Sequence, residues 1–226
     1  MQNTLLQPLD NQSHDGLKFC SLVYEIFEKV RETPAGIEAI RMRRGKCKKL
    51  VEELLPICKY VQAKYRQGRY ISVKWKDGNQ TYDAELGSIG AYVTHGYYAA
   101  SSFLEVTCVV HPNDYLAREH LNAGGTVFGP VGLARAKDGT VVSIPHAHVG
   151  DIFIDDYADL VLAELAKKAV KPYPDGTALV MQCCLNRLYT PSEWAKLESA
   201  VRTRIPQHPF TELFLYDPIN EYSVSI

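Results

Sequence analysis

The sequence predicts an α/β fold in which a mixed central β-sheet is flanked by helices, and three observations lead there. Tyr70 to Lys76 and Gln80 to Leu86 lie on either side of Asp77-Gly78-Asn79, the signature of a β-hairpin, and Ile71, Val73 and Trp75 alternate with polar residues. Phe103 to Val110 is apolar except for Glu105 and Thr107, so Leu104, Val106, Cys108 and Val110 share a face suited to a core. Asp155 to Val170 and Pro191 to Arg204 have helical patterns and bracket a buried strand, Ala178 to Leu185.

The other elements follow in order. Residues 1–14 read as a flexible N-terminal tail, and residues 15–226 as a single α/β domain whose first part is helical. Leu17, Cys20, Val23, Tyr24 and Phe27 form a helical stripe within Gly16 to Arg31, which Pro34 interrupts. A longer helical pattern runs from Gly36 to about Tyr65, kinked or divided by Pro56. After the strand carrying Glu105, Pro112 and Asn113 start a short helix to Leu121. An inserted hairpin spans about 122–150, turning at Asp138-Gly139, and could be an arm reaching a groove or a partner subunit. A homodimer is therefore left open. Thr211 to Tyr216 is the last predicted strand.

With 226 residues, 46% hydrophobic and 23% charged, the chain has the composition of a globular protein. Its net charge of -1 supplies no global basic field, so a nucleic-acid surface has to be a local patch. Six cysteines without a CxxC pair read as buried thiols in a reducing cytoplasm. The first thirteen residues lack the order of a signal peptide, and no run nears the roughly 18 apolar residues of a membrane span. These features predict a soluble cytoplasmic protein with no membrane partner.

Glu105 is an acid in an otherwise apolar strand, and Asp83 lies in the second strand of the hairpin. Two acids converging on one sheet surface repel unless a cation lies between them, which points to a divalent-metal site. If the turn is Asp77-Gly78, position 72 pairs with 83; if it is Gly78-Asn79, position 74 does. In either register Lys74 shares the face of Asp83. Lys74, Asp83, Glu105 and Thr107 are therefore expected to converge.

This order of helix, hairpin, strand, helix and strand, with Asp83 and Glu105 so placed, resembles the PD-(D/E)xK superfamily of restriction-endonuclease-like nucleases over roughly residues 36–185. Thr107 falls where that motif carries lysine, and Tyr82 stands where proline precedes the first acid. Glu53 would match the extra acid many members carry on the preceding helix. The resemblance implies a metal-dependent nuclease acting on DNA, with Asp83, Glu105 and Glu53 as ligands of Mg2+ or Mn2+. Lys74 and Thr107 would be catalytic, with Lys167 or Lys168 as second candidates for the displaced lysine. The alternative is a catalytically degenerate member that binds nucleic acid or another protein.

Other constellations are weaker. Two histidines in Pro145-His146-Ala147-His148, followed by Asp151, have zinc-ligand chemistry but lack further ligands. The basic residues Arg41, Arg43, Arg44, Lys46, Lys48 and Lys49 read either as a solvated helix face or as phosphate contacts beside a cleft. Gln182, beside Cys183-Cys184 in an apolar strand, reads as a buried amide satisfied by backbone or as a polar group facing a site.

Overall fold

The computed structural model describes residues 4–146, 152–184 and 190–226. Its first helices are α1 (Gly16–Arg31), α2 (Pro34–Arg41), α3 (Lys46–Lys49), a π-helical turn (Leu50–Leu54) and α4 (Leu55–Lys64). Strand β1 (Ser13–Asp15) precedes them, and β2 (Tyr70–Trp75), β3 (Ala84–Ile89), α5 (Ala91–Thr94) and β4 (Ser101–Val109) follow. The chain continues through α6 (Asp114–Asn122), β5 (Leu133–Arg135), β6 (Val141–Ser143), α7 (Ile152–Ala169) and β7 (Thr177–Cys183). It ends with α8 (Pro191–Arg204), β8 (Glu212–Tyr216) and β9 (Ser223–Ser225).

Seven strands form one mixed sheet in the order β1-β2-β3-β4-β7-β8-β9. The pairs β4–β7 and β7–β8 are parallel and the others antiparallel. Parallel neighbours need crossovers, which α7 and α8 supply. Both helices pack on one face, where Val161, Leu165, Leu197 and Val201 meet Leu179, Met181, Leu213 and Leu215. On the other face Phe19, Val23, Leu54, Ile57 and Val61, from α1, the π turn and α4, meet Val73, Trp75, Leu104, Val106 and Val180. With both faces covered, every residue of β7 is buried. Strands β5 and β6 make a separate hairpin, and Leu133 packs with Leu116 and Ala117 of α6.

Local chemistry sets the helix ends. Asp15 caps α1 by accepting from the N–H groups of Leu17 and Lys18. Thr190 and Glu193 form a reciprocal capping box on α8. The long helical pattern breaks between α2 and α3, not at Pro56, because Arg43 and Gly45 both adopt left-handed φ values of 53°. Pro56 instead follows the π turn and has no N–H to give the Glu52 carbonyl four residues back. The Cys108 thiol donates to that carbonyl at 3.8 Å.

Residues 4–14 pack against the domain and do not form the expected loose tail. Leu6 and Leu9 are buried in the core, Asn11 N–H donates to Trp75 O at 2.8 Å, and Ser13, His14 and Asp15 pair with Lys74, Val73 and Ser72. A short segment with two leucines shows little periodicity, yet β2 would otherwise leave an open sheet edge. We expect Leu9→Ala, at a position with 0% exposure, to lower unfolding free energy by about 2–4 kcal/mol. Leu17→Ala, at 51% exposure, should change it by less than about 0.5 kcal/mol. Equal urea midpoints for Leu9→Ala and wild type would mean that the segment is detached in solution.

Candidate active site

The site forms where β3 and β4 part. Their pairing runs from Gly87↔Ser101 to Ala84↔Leu104, while β4 remains paired with β7 as far as Val109↔Cys183. Beyond Leu104 the next β4 amide on this side, that of Val106, has no β3 carbonyl opposite it. Asp83 supplies the acceptor: its Oδ2 takes the Val106 N–H at 2.7 Å, while its own N–H donates to Leu104 O at 2.8 Å. A buried amide without a partner is costly, so this carboxylate has a structural task as well as a chemical one.

Asp83 immediately precedes β3 and is not inside a strand, which corrects the expected range of Gln80 to Leu86. The hairpin register also differs from both expectations. Lys74 pairs with Glu85, so the loop from Lys76 to Asp83 is longer than a two-residue turn. Asp77 makes ion pairs with Lys46 and Lys49 and takes its own N–H to Asp10 Oδ1 at 2.8 Å, which pins the loop open.

Glu105 is 6% exposed and Thr107 8%, both on the β4 face turned towards α7 and α8. The cation at Glu105 is Lys168, at the end of α7: its Nζ lies 2.5 Å from Glu105 Oε1 and 3.3 Å from Val106 O. Lys74 is 3.9 Å from Glu85, on the opposite strand of the hairpin, and Lys167 pairs with Glu164. Of the three candidate lysines, Lys168 is thus the one bonded to a candidate acid. Glu53 comes from the π turn, and its Oε2 accepts the Trp75 Nε1–H at 3.3 Å while Lys49 stands 4.0 Å away.

Burial pushes the Asp83 carboxyl up from 3.8 to about 7, and the charges of Glu105 and Glu53 add to the shift against the Val106 hydrogen bond. Glu53 is also raised, chiefly by burial, with Asp77 and Glu105 contributing repulsion. Three acids therefore sense one another around the parting of the strands. Tyr173, between α7 and β7, was not singled out from the sequence. Burial and the neighbouring Glu105 charge raise its pKa, and among the described residues its buried hydroxyl has no hydrogen-bond partner. The flanking Pro172 and Pro174, just past Lys168, are the signal that could have marked it.

The donor set is all oxygen and anionic, which suits a hard divalent cation. Among the described residues no group of three or more His, Cys, Asp or Glu is arranged to hold a metal. Mg2+ does not require one, since one or two carboxylates with water and phosphate oxygens suffice. His148 and Asp151 of the alternative histidine site lie outside the described residues. The basic run is partly neutralised: Lys46 and Lys49 bind Asp77, and Arg44 binds Glu38. Arg135 on the inserted hairpin pairs with Glu119. Among the described residues no helix is long and apolar enough to cross a membrane.

The chain matches no family model, no curated protein and no solved structure.

The raised Asp83 value has a measurable consequence. The folded protein holds a proton between about pH 4 and 7 that the unfolded chain releases, so the stabilising contribution is full below 4 and lost as pH rises through 7. Asp83→Asn keeps an acceptor for Val106 and removes the titration. In chelator, we expect wild type to lose on the order of 2–4 kcal/mol relative to this variant between pH 4 and pH 8. Parallel curves from urea unfolding at each pH would show that Asp83 is not under this strain.

Proposed function

We propose that the protein is a metal-dependent nuclease that hydrolyses phosphodiester bonds in DNA. The observation that carries this reading is the meeting of Asp83, Glu105 and the Lys168 ammonium where β3 leaves β4. Two carboxylates and a lysine at one strand end are the components that phosphodiester hydrolysis needs. The order of elements around them, with Glu53 on the preceding helical turn, supports the resemblance to PD-(D/E)xK nucleases.

Asp83 and Glu105 would hold Mg2+ or Mn2+, and Glu53, beside Trp75, would accept a hydrogen bond from water. When bound, the ion polarises the phosphoryl group and lowers the pKa of water. Lys168 takes the role first expected of Lys74. Its ammonium can turn from Glu105 to a phosphate oxygen and offset charge that develops during displacement. Tyr173 has a hydroxyl proton free to donate beside Glu105, and Thr107 follows Glu105 on the same face of β4 as a second hydroxyl.

A catalytically degenerate member that binds nucleic acid or another protein is the second reading, and one observation favours it. Lys168 already neutralises Glu105 at 2.5 Å, so the ion pair can persist as a purely structural contact.

Plasmid DNA separates the two. With Mg2+ or Mn2+, the nuclease reading expects nicking or linearisation, lost on adding chelator. Asp83→Asn, Glu105→Gln and Lys168→Met should each lower the rate by roughly 10²-fold or more, while Lys74→Met leaves it unchanged. Intact plasmid together with salt-sensitive retention of DNA would replace the first reading by the second.

A further inference from the structure

A second concave site lies on the α1 and α4 side of the sheet, beyond the carboxyl ends of β7 and β8. It is a cavity of about 550 Å³ whose wall includes Tyr24, Phe27, Arg43, Leu55, Arg118 and Cys184. Open α/β sheets characteristically bind ligands outside the carboxyl ends of their strands. Cys184 directly follows β7, and Tyr216, also on the wall, ends β8. The wall combines an apolar surface with a few convergent polar groups, the usual composition of a small-molecule site.

The polar groups favour one ligand chemistry. The Arg43 guanidinium lines the cavity, its side chain is only 20% exposed, and the one hydrogen bond it makes among the described residues runs from Nη1 to Ile40 O at 3.4 Å. The Glu52 carboxylate stands 3.7 Å from both Arg43 and Arg118, too far for a hydrogen bond to either. Arg118 is bound to Asp114, which leaves Arg43 as the less engaged of the two guanidinium groups. A largely buried guanidinium on a cavity wall, with most of its N–H groups unpaired among the described residues, suits an anionic acceptor.

The second polar group is the Cys184 thiol, whose Sγ accepts from Gln182 Nε2 at 3.0 Å; Gln182 in turn accepts from the Tyr216 hydroxyl at 2.7 Å. Gln182 is therefore the site-facing amide and not one satisfied by backbone alone. The Cys108 thiol, and after it Gln182 and Arg43, hold Cys184 below the ordinary cysteine range against the effect of burial. Glu52 and Glu53 are consecutive in the π turn yet serve different places, Glu52 facing the two arginines and Glu53 the acid cluster.

We propose that this cavity is a ligand site separate from the acid cluster, taking a small organic anion whose charge Arg43 receives and whose apolar part lies along Tyr24, Phe27 and Leu55, with Cys184 in reach.

Two alkylating agents of equal size test it. Iodoacetate is an anion and iodoacetamide is neutral; with either, the Cys184 sulfur attacks the methylene carbon, an S–C bond forms, iodide leaves with the C–I electron pair, and the thiol proton passes to solvent. Peptide mapping by mass spectrometry gives the rate at Cys184, with free glutathione as the reference. We expect the iodoacetate-to-iodoacetamide ratio at Cys184 to exceed that of glutathione by roughly tenfold, the size of one charge-assisted hydrogen bond. Iodoacetate should show saturation, and the amphipathic anion 8-anilinonaphthalene-1-sulfonate should protect the thiol. Arg43→Met should bring the ratio down to the glutathione value. A wild-type ratio equal to that of glutathione, or protection by the uncharged N-phenyl-1-naphthylamine equal to that by the sulfonate, would overturn the proposal, and both measurements use the unmodified chain. DNA cleavage is not read, so the nuclease reading and this one fail separately.

Discussion

The bond from Val106 N–H to Asp83 is the constraint on which the site rests. Strand β4 is buried between two helical layers and paired along its length with β7, but β3 accompanies it only to Leu104. An amide at such a position needs an acceptor, and water has little access to it. A side chain, not a backbone carbonyl, therefore closes the gap. Because that side chain is an acid, the repair brings a negative charge into a weakly polarisable place beside Glu105. The anionic site is thus a consequence of how two strands separate.

The π-helical turn is the second device. Pro56 leaves the Glu52 carbonyl without its helical donor, and the wider turn lets Cys108 from β4 supply one. That contact ties the helical layer to the central strand, and the turn sends Glu52 and Glu53 to different partners. Trp75 then fixes Glu53, because an indole N–H buried with its ring needs an acceptor. The three acids thus arrive from three elements, each held by a bond with its own structural reason.

Much of the fold was legible because its cause is local. The alternation in β2, the apolar run of β4, the helical stripe of α1 and the buried strand β7 all sit in the periodicity of adjacent residues. Glu105 stood out because an acid on an apolar strand needs a reason to be there. The lysine was not legible in the same way. Lys74 was favoured by the assumption of a tight hairpin, whereas ion pairs from Asp77 to two helix lysines hold the loop longer and set Lys74 opposite Glu85. Lys168 lies 63 residues from Glu105, and only the packing of α7 on the sheet brings them together. The docked N-terminus was missed for the same reason, since Leu6 and Leu9 fill a space that other elements create.

Charge balance gives the site its character. Lys168 is bonded to Glu105, and Lys49 lies 4.0 Å from Glu53 but only 2.8 Å from Asp77, so its charge is spent mainly on the latter. Asp83 has a peptide N–H and, among the described residues, no bonded cation. It takes up a proton at about pH 7 because that is the available way to remove the excess. A phosphate brought to the same place would add negative charge to the deficit, and Lys168 could answer it only by leaving Glu105 with a bare charge. One more positive charge resolves both difficulties together. An anionic substrate and a cation should therefore each strengthen the binding of the other here, by the reciprocity that governs any two ligands sharing one electrostatic site.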